Sequence, residues 1–164
     1  MEEEKMKVLE IRWQRLVDEQ GQTCDRCGTT ETEVENAIQK LRRSLKELDI
    51  DVVVEKKALS PITFSIDPLQ SNRIWIAGEP IEKWLSATTG QSQCGSTCGD
   101  SECRTVTVDG KIYEAIPAEL IIKAALLASA HLLPREPHSV CCPNEESPQE
   151  SPGCCSPSSK CQNE

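Results

Sequence analysis

Ten of the 164 residues are cysteine, and they fall into three polar clusters. Cys24-Asp-Arg-Cys27 has the CxxC spacing. Two thiols so placed either cycle through a small disulfide ring, Cys24 attacking and Cys27 resolving, or present paired thiolates to one soft ion. Arg26 between them is positioned to stabilise a thiolate, and Asp25 to oppose it. Cys94-Gly-Ser-Thr-Cys98-Gly-Asp-Ser-Glu-Cys103 adds three thiols on a glycine-containing stretch able to wrap an ion. With the CxxC pair these exceed the four sulfurs of a tetrahedral Zn²⁺ site. Beyond them stand Cys141-Cys142, Cys154-Cys155 and Cys161. Adjacent cysteines make poor structural disulfides but offer soft donors to Cu(I), Zn²⁺, Hg²⁺ or trivalent arsenic. His131 and His138 are isolated and read as surface or core residues, and Trp13, Trp75 and Trp84 as core. No phosphate-binding glycine loop, paired-carboxylate site or Ser-His-Asp set stands out, so hydrolase and kinase readings lack support.

The formal charge of −9, from 27 acidic and 18 basic residues, argues against nucleic acid and anionic membrane as partners, which demand clustered Lys and Arg. The charged start, Met1-Glu-Glu-Glu-Lys-Met-Lys, is unlike a secretory signal. The most apolar run, Ile121 to Leu133, is too short to span a bilayer and contains Lys123. A cytoplasmic location is therefore expected. Thiols there are kept reduced, which directs the cysteines to metal ligation or redox chemistry rather than to structural staples.

Thirty-four of the 35 Leu, Ile, Val and Phe residues precede Pro134. One domain over residues 1–133 is expected, followed by a disordered Cys/Pro/Ser-rich tail over 134–164 that cannot offset the entropy of ordering itself. Alternation over Lys7–Leu16 predicts a first strand. Thr30 and Glu33 have capping-box spacing, so a helix is predicted from Thr30, with Val34, Ala37, Ile38, Leu41, Leu45 and Leu48 on one face. The β-branched run Ile50–Val54 predicts a strand parallel to the first and buried on both faces. Arg73–Ala77 predicts a third strand and Ile81–Leu85 one helical turn. Residues 88–103 lack hydrophobic periodicity and read as a loop. Asp109-Gly110 between Thr105–Val108 and Lys111–Tyr113 signals a hairpin. Pro117 opens a final helix with Leu120, Ile121, Ala124, Leu127 and Ala128 inward.

The fold class is α/β. Thr23-Cys-Asp-Arg-Cys-Gly28, Ser71-Asn-Arg-Ile-Trp-Ile-Ala-Gly78 and Cys103-Arg-Thr-Val to Pro117-Ala-Glu-Leu-Ile-Ile-Lys123 resemble an uncharacterised cysteine-rich prokaryotic family related to thioredoxins. The resemblance covers about residues 6 to 133. It implies a thioredoxin-like mixed sheet with flanking helices, a cysteine-containing insertion loop and the CxxC at the usual active-site position. Two features depart from thioredoxins: Ser71-Asn72 stands where they carry a cis-proline, and a helix begun at Thr30 would leave Cys24 and Cys27 in a loop. The 94–103 segment, starting at the far end of the third strand, would have to fold back to meet the CxxC. The expected function is binding of Zn²⁺ or another soft metal or metalloid ion by the ten cysteines. The alternative is thiol-disulfide exchange with a redox partner protein through Cys24 and Cys27.

Overall fold

The strand around which the other elements are arranged is β1 (Lys7–Leu16). The computed structural model describes residues 6–94 and 98–134, which belong to one compact unit, Met1–Pro134. The expected disorder of the tail concerns residues outside that description. Alternation along β1 fully buries Leu9, Ile11 and Trp13 and leaves Val8 and Glu10 exposed, as in a strand with one covered face. β2 (Ile50–Leu59) lies parallel to it, setting Val52 beside Leu9 and Val54 beside Ile11. β3 (Arg73–Ile76) is antiparallel on the other side, setting Ile74 beside Trp13 and Ile76 beside Ile11. The two-residue β4 (Glu79–Pro80) completes the order β2-β1-β3-β4. The mixed α/β architecture agrees with the sequence.

Ile50–Val54 is not buried on both faces. β2 is an edge strand that continues to Leu59, burying Ile50, Val52 and Leu59 while Asp51, Val53 and Glu55 remain exposed. With helices on one side only, a β-branched run buries alternate residues. Those helices are α1 (Asp25–Leu45) and α4 (Ala118–Ala130); they pack on each other, α1 also on β2 and α4 on β1 and β3. Val34, Ala37, Ile38, Leu41 and Leu45 form the buried face of α1 as expected, but Leu48 lies beyond it and is exposed. In α4 the buried stripe is Ala118, Ile121, Ala124, Ala125 and Ala128, leaving Leu127 exposed. Alanines on that stripe allow close approach of the two helices, so the face turns toward them and away from the larger Leu127.

A second, antiparallel sheet has the order β5-β6-β7: β5 (Thr88–Gln93), β6 (Glu102–Val108) and β7 (Lys111–Tyr113). The expected hairpin at Asp109-Gly110 is present, both residues having positive φ. The expected loop over 88–103 is in large part strand. Main-chain pairing with β6 holds the polar β5, so no hydrophobic period marks it. Gly90 allows the close pairing, since a Cβ there would lie 2.8 Å from Thr105 Oγ1. A short helix, α2 (Pro61–Ile66), joins β2 toward β3, and α3 (Ile81–Leu85) follows β4.

One buried ion pair ties the second sheet to the first unit of structure. Arg104 on β6 donates to Glu82 Oε1 of α3 through Nη2 at 2.6 Å and Nε at 2.9 Å, to Leu69 O at 3.0 Å and to Thr89 Oγ1 at 2.9 Å. Both charged side chains are nearly excluded from solvent. Removing one partner leaves the other charge buried and uncompensated. Arg104→Leu is expected to cost about 3–5 kcal/mol, read as a lowered urea midpoint of the reduced, metal-free protein.

Candidate metal centre

The chain reaches the first cysteine through a turn held by Asp18, whose carboxylate accepts the N–H groups of Gln20 at 2.9 Å and Gln22 at 2.8 Å. Gly21 takes the positive φ, +79°, that the turn requires. Cys24 is then the N-cap of α1: its backbone is extended and its Sγ accepts the N–H of Cys27 at 3.4 Å. The helix thus begins at Asp25, not at Thr30, and Cys27 lies in its first turn. Thr30 and Glu33 do not form a capping box. Buried Thr30 donates to Arg26 O at 3.2 Å and accepts the N–H of Ile116 at 3.1 Å, while Glu33 accepts the N–H of Ala118 at 2.8 Å. The two residues that look like a cap for α1 instead hold the start of α4. Sequence spacing misleads here because a thiol sulfur can also accept the orphan N–H of a first turn.

Arg26 is turned away from the expected role of thiolate stabiliser. Its guanidinium donates to Gln93 O at 2.9 Å, Ser92 O at 3.3 Å and Cys103 O at 3.4 Å, and pairs with Glu114 at 3.1 Å. The arginine side chain is 7% exposed and the glutamate 60%, so the carbonyl contacts carry more of the energy than the screened ion pair. These bonds pull the end of the β5–β6 hairpin onto the first turn of α1.

The fold-back that the sequence requires is therefore made. The Sγ atoms of Cys24, Cys94 and Cys98 lie within 4.8 Å of one another, close enough to share one ion. The thiols of Cys103, Cys27 and Cys98 also lie near enough to Cys24 to change its acidity. Cys24, Cys27, Cys98 and Cys103 are buried, and Cys94 is partly exposed. Ser71, which the resemblance to thioredoxins set at the cis-proline position beside the CxxC, places its hydroxyl 3.6 Å from the Cys27 sulfur and accepts the N–H of Leu16 at 2.9 Å. Asn72 beside it has φ +55°, accepts from the Trp13 indole at 3.4 Å and donates to Glu114 O at 3.0 Å. What the local sequence does not show is which groups these two side chains bind, since each partner lies at least 42 residues away in the chain. His131 packs its ring against Trp84, 5.5 Å away between centroids. Cys141, Cys142, Cys154, Cys155, Cys161 and His138 lie outside the described residues.

Residues 9–125 match the family described as Domain of unknown function (DUF2703). The chain belongs to that family. The matched span includes all five clustered cysteines and ends before the tail. A protein of Archaeoglobus fulgidus, described as uncharacterized, is 41% identical over 114 residues, covering 69% of this chain and 82% of its own length. No solved structure matches.

Mutual hydrogen bonding splits the acidities of the DUF2703 thiols. Cys24, receiving hydrogen bonds from Cys103, Cys27 and Cys98, is held far below the ordinary thiol range. Cys27 is pushed up by its bond to Cys24 and by burial, and Cys98 by its bonds to Cys103 and Cys24 and by burial. Cys103 is pushed up to about 12, with its bond to Cys24 as the leading cause. A depressed folded value makes the Cys24 contribution to stability full above the unfolded thiol value and smaller as pH falls toward the folded one. A raised value makes the Cys103 contribution full below the unfolded thiol value and lost as pH rises toward about 12. The reduced, metal-free protein is thus expected to resist urea best near the ordinary thiol range of ~8.5, with lower midpoints on either side. In mildly acidic buffer it should retain thiolate ultraviolet absorbance that Cys24→Ser removes.

Proposed function

We propose that this DUF2703 protein is a cytoplasmic thiol protein that binds a soft metal or metalloid ion through Cys24, Cys94 and Cys98. The observation that carries this reading is the approach of their three Sγ atoms to within 4.8 Å. Cys103 and Cys27 stand behind them as reserve sulfurs, enough to complete a tetrahedral set for Zn²⁺, while three thiolates alone suit trivalent arsenic or Hg²⁺. Burial of four of the sulfurs excludes water and strengthens thiolate–ion attraction. The scaffold is read as thioredoxin-like over residues 1–133. Its support is the sheet order β2-β1-β3-β4, with β1 and β2 parallel and β3 antiparallel, and the CxxC at the start of α1, the helix that follows β1. The tail over 134–164, with Cys141, Cys142, Cys154, Cys155 and Cys161, would supply capture thiols.

The second reading is thiol-disulfide exchange, Cys24 attacking and Cys27 resolving. It is favoured by the N-cap position of Cys24, where the first-turn N–H of Cys27 points at the sulfur and the helix dipole favours the thiolate. A resident ion would suppress this chemistry by occupying the nucleophile.

Elemental analysis of protein purified anaerobically, paired with a count of reactive thiols, separates the two. Ion binding predicts about one equivalent of metal with the clustered thiols protected from labelling. Cys24→Ser and Cys98→Ser should then each weaken Zn²⁺, Cu(I) or arsenite binding at least roughly tenfold. Undiminished affinity in the double variant would refute the reading. Turnover of a disulfide substrate, with a reduction potential of roughly −270 to −200 mV, would establish the alternative.

A further inference from the structure

An ion held by Cys24, Cys94 and Cys98 has one described sulfur on its solvent side. Cys24 and Cys98 are 2% and 6% exposed, and Cys27 and Cys103 behind them are fully buried. Cys94 alone among the five is partly exposed, and it forms part of the wall of a pocket of about 310 Å³. The start of α1 supplies Asp25, Arg26 and Thr29 to the wall, the end of β5 supplies Gln93, and Glu114 and Ala115 close it. That volume lies at the lower edge of small-molecule sites, roughly 300–1,000 Å³. It suits a thiol of a few heavy atoms. The pocket is also charged: Asp25 and Glu114 contribute two carboxylates, and only Glu114 is matched by Arg26, at 3.1 Å.

We infer that this pocket admits a small thiol bearing a cationic group, which carries the soft ion to and from the cluster by exchange at Cys94. The inference rests on the ion-binding reading above and names the carrier for the same site. In loading, the thiol–ion complex enters with its ammonium toward Asp25. A bond forms between Cys94 Sγ and the ion as the bond from carrier sulfur to ion breaks, and the Cys94 proton passes to the departing carrier thiolate. The carrier leaves as a free thiol. Unloading is the reverse, and no sulfur or ion changes oxidation state. Cys24 and Cys98 then each replace one remaining ligand of the ion, a further carrier thiolate or a water, and any thiol proton they release leaves with the displaced thiolate or passes to solvent water.

Thiolate-to-metal ultraviolet absorbance of the full chain carrying substoichiometric Cd²⁺ provides the readout. The fraction that Cys98→Ser abolishes reports the cluster. If Cys98→Ser abolishes none of it, the ion-binding reading itself fails. Release is then driven with cysteamine or with thioglycolate, thiols of similar size and opposite charge. Thr29 is exposed on the pocket wall, so Thr29→Trp fills the pocket while keeping every cysteine. It should leave cluster absorbance unchanged and slow both loading and cysteamine-driven release about tenfold. Asp25→Asn should reduce the ratio of cysteamine to thioglycolate rates several-fold, a comparison in which the intrinsic reactivity of each thiol cancels. Wild-type rates in Thr29→Trp with the ion still bound would overturn exchange through the pocket. An unchanged rate ratio in Asp25→Asn would overturn the cationic carrier.

Discussion

The hydrogen bonds of one buried arginine decide whether this chain has a cluster at all. Arg26 leaves the first turn of α1 and ends among the carbonyls of Ser92, Gln93 and Cys103. Two of those residues flank or carry clustered thiols, since Gln93 precedes Cys94 and Cys103 follows the turn. A guanidinium has five donors in a fixed plane and loses water on burial, so it must find several acceptors. The end of a hairpin, where strand pairing stops, has carbonyls to give. This match between donors at a helix start and acceptors at a hairpin end fixes the distance between two cysteine groups about seventy residues apart in the chain.

The rest of the fold gives that contact a rigid base. The four-stranded sheet, with Leu9, Ile11 and Trp13 at its centre, anchors α1 from below. Arg104 and Glu82 anchor the second sheet through α3. Both arginines thus use charge to tie elements that share little apolar surface, and β5, with no large apolar residue, needs such ties more than the other strands do. Ser71 and Asn72 complete the cage from the start of β3. Their side chains join the end of β1, the Cys27 sulfur and the connection from β7 to α4.

The chemistry follows from crowding thiols around a helix N-cap. One sulfur in such a group gains by ionising, because the others and a backbone N–H donate to it, and the others are then held neutral by the charge they surround. The group as a whole is poised for a soft cation, which would take the place of the shared protons. The same arrangement would make Cys24 a nucleophile in the absence of an ion. The proposed metal capture and the alternative disulfide exchange would be two uses of one electrostatic device, and partial exposure at Cys94 gives the cluster a route to solvent.

Composition, periodicity and turn chemistry by themselves determined the α/β class, the ten-residue first strand, the presence of a second strand from Ile50, the Asp109-Gly110 hairpin and the membership of all five described cysteines in polar, glycine-bearing segments. Each of these rests on local physics: side-chain alternation, positive-φ turns, or the absence of apolar residues to bury. Tertiary structure decided where α1 begins, because Thr30 and Glu33 satisfy the start of α4 and Cys24 takes the cap. It decided that residues 88–93 are a strand, because main-chain pairing with β6 leaves no hydrophobic period. Leu127 turned outward because alanines on its neighbouring stripe let two helices approach. Above all it decided that Cys94, Cys98 and Cys103 meet Cys24. That meeting depends on where the Arg26 guanidinium finds its acceptors, and no spacing in a linear chain records which carbonyls will lie within its reach once the strands have paired.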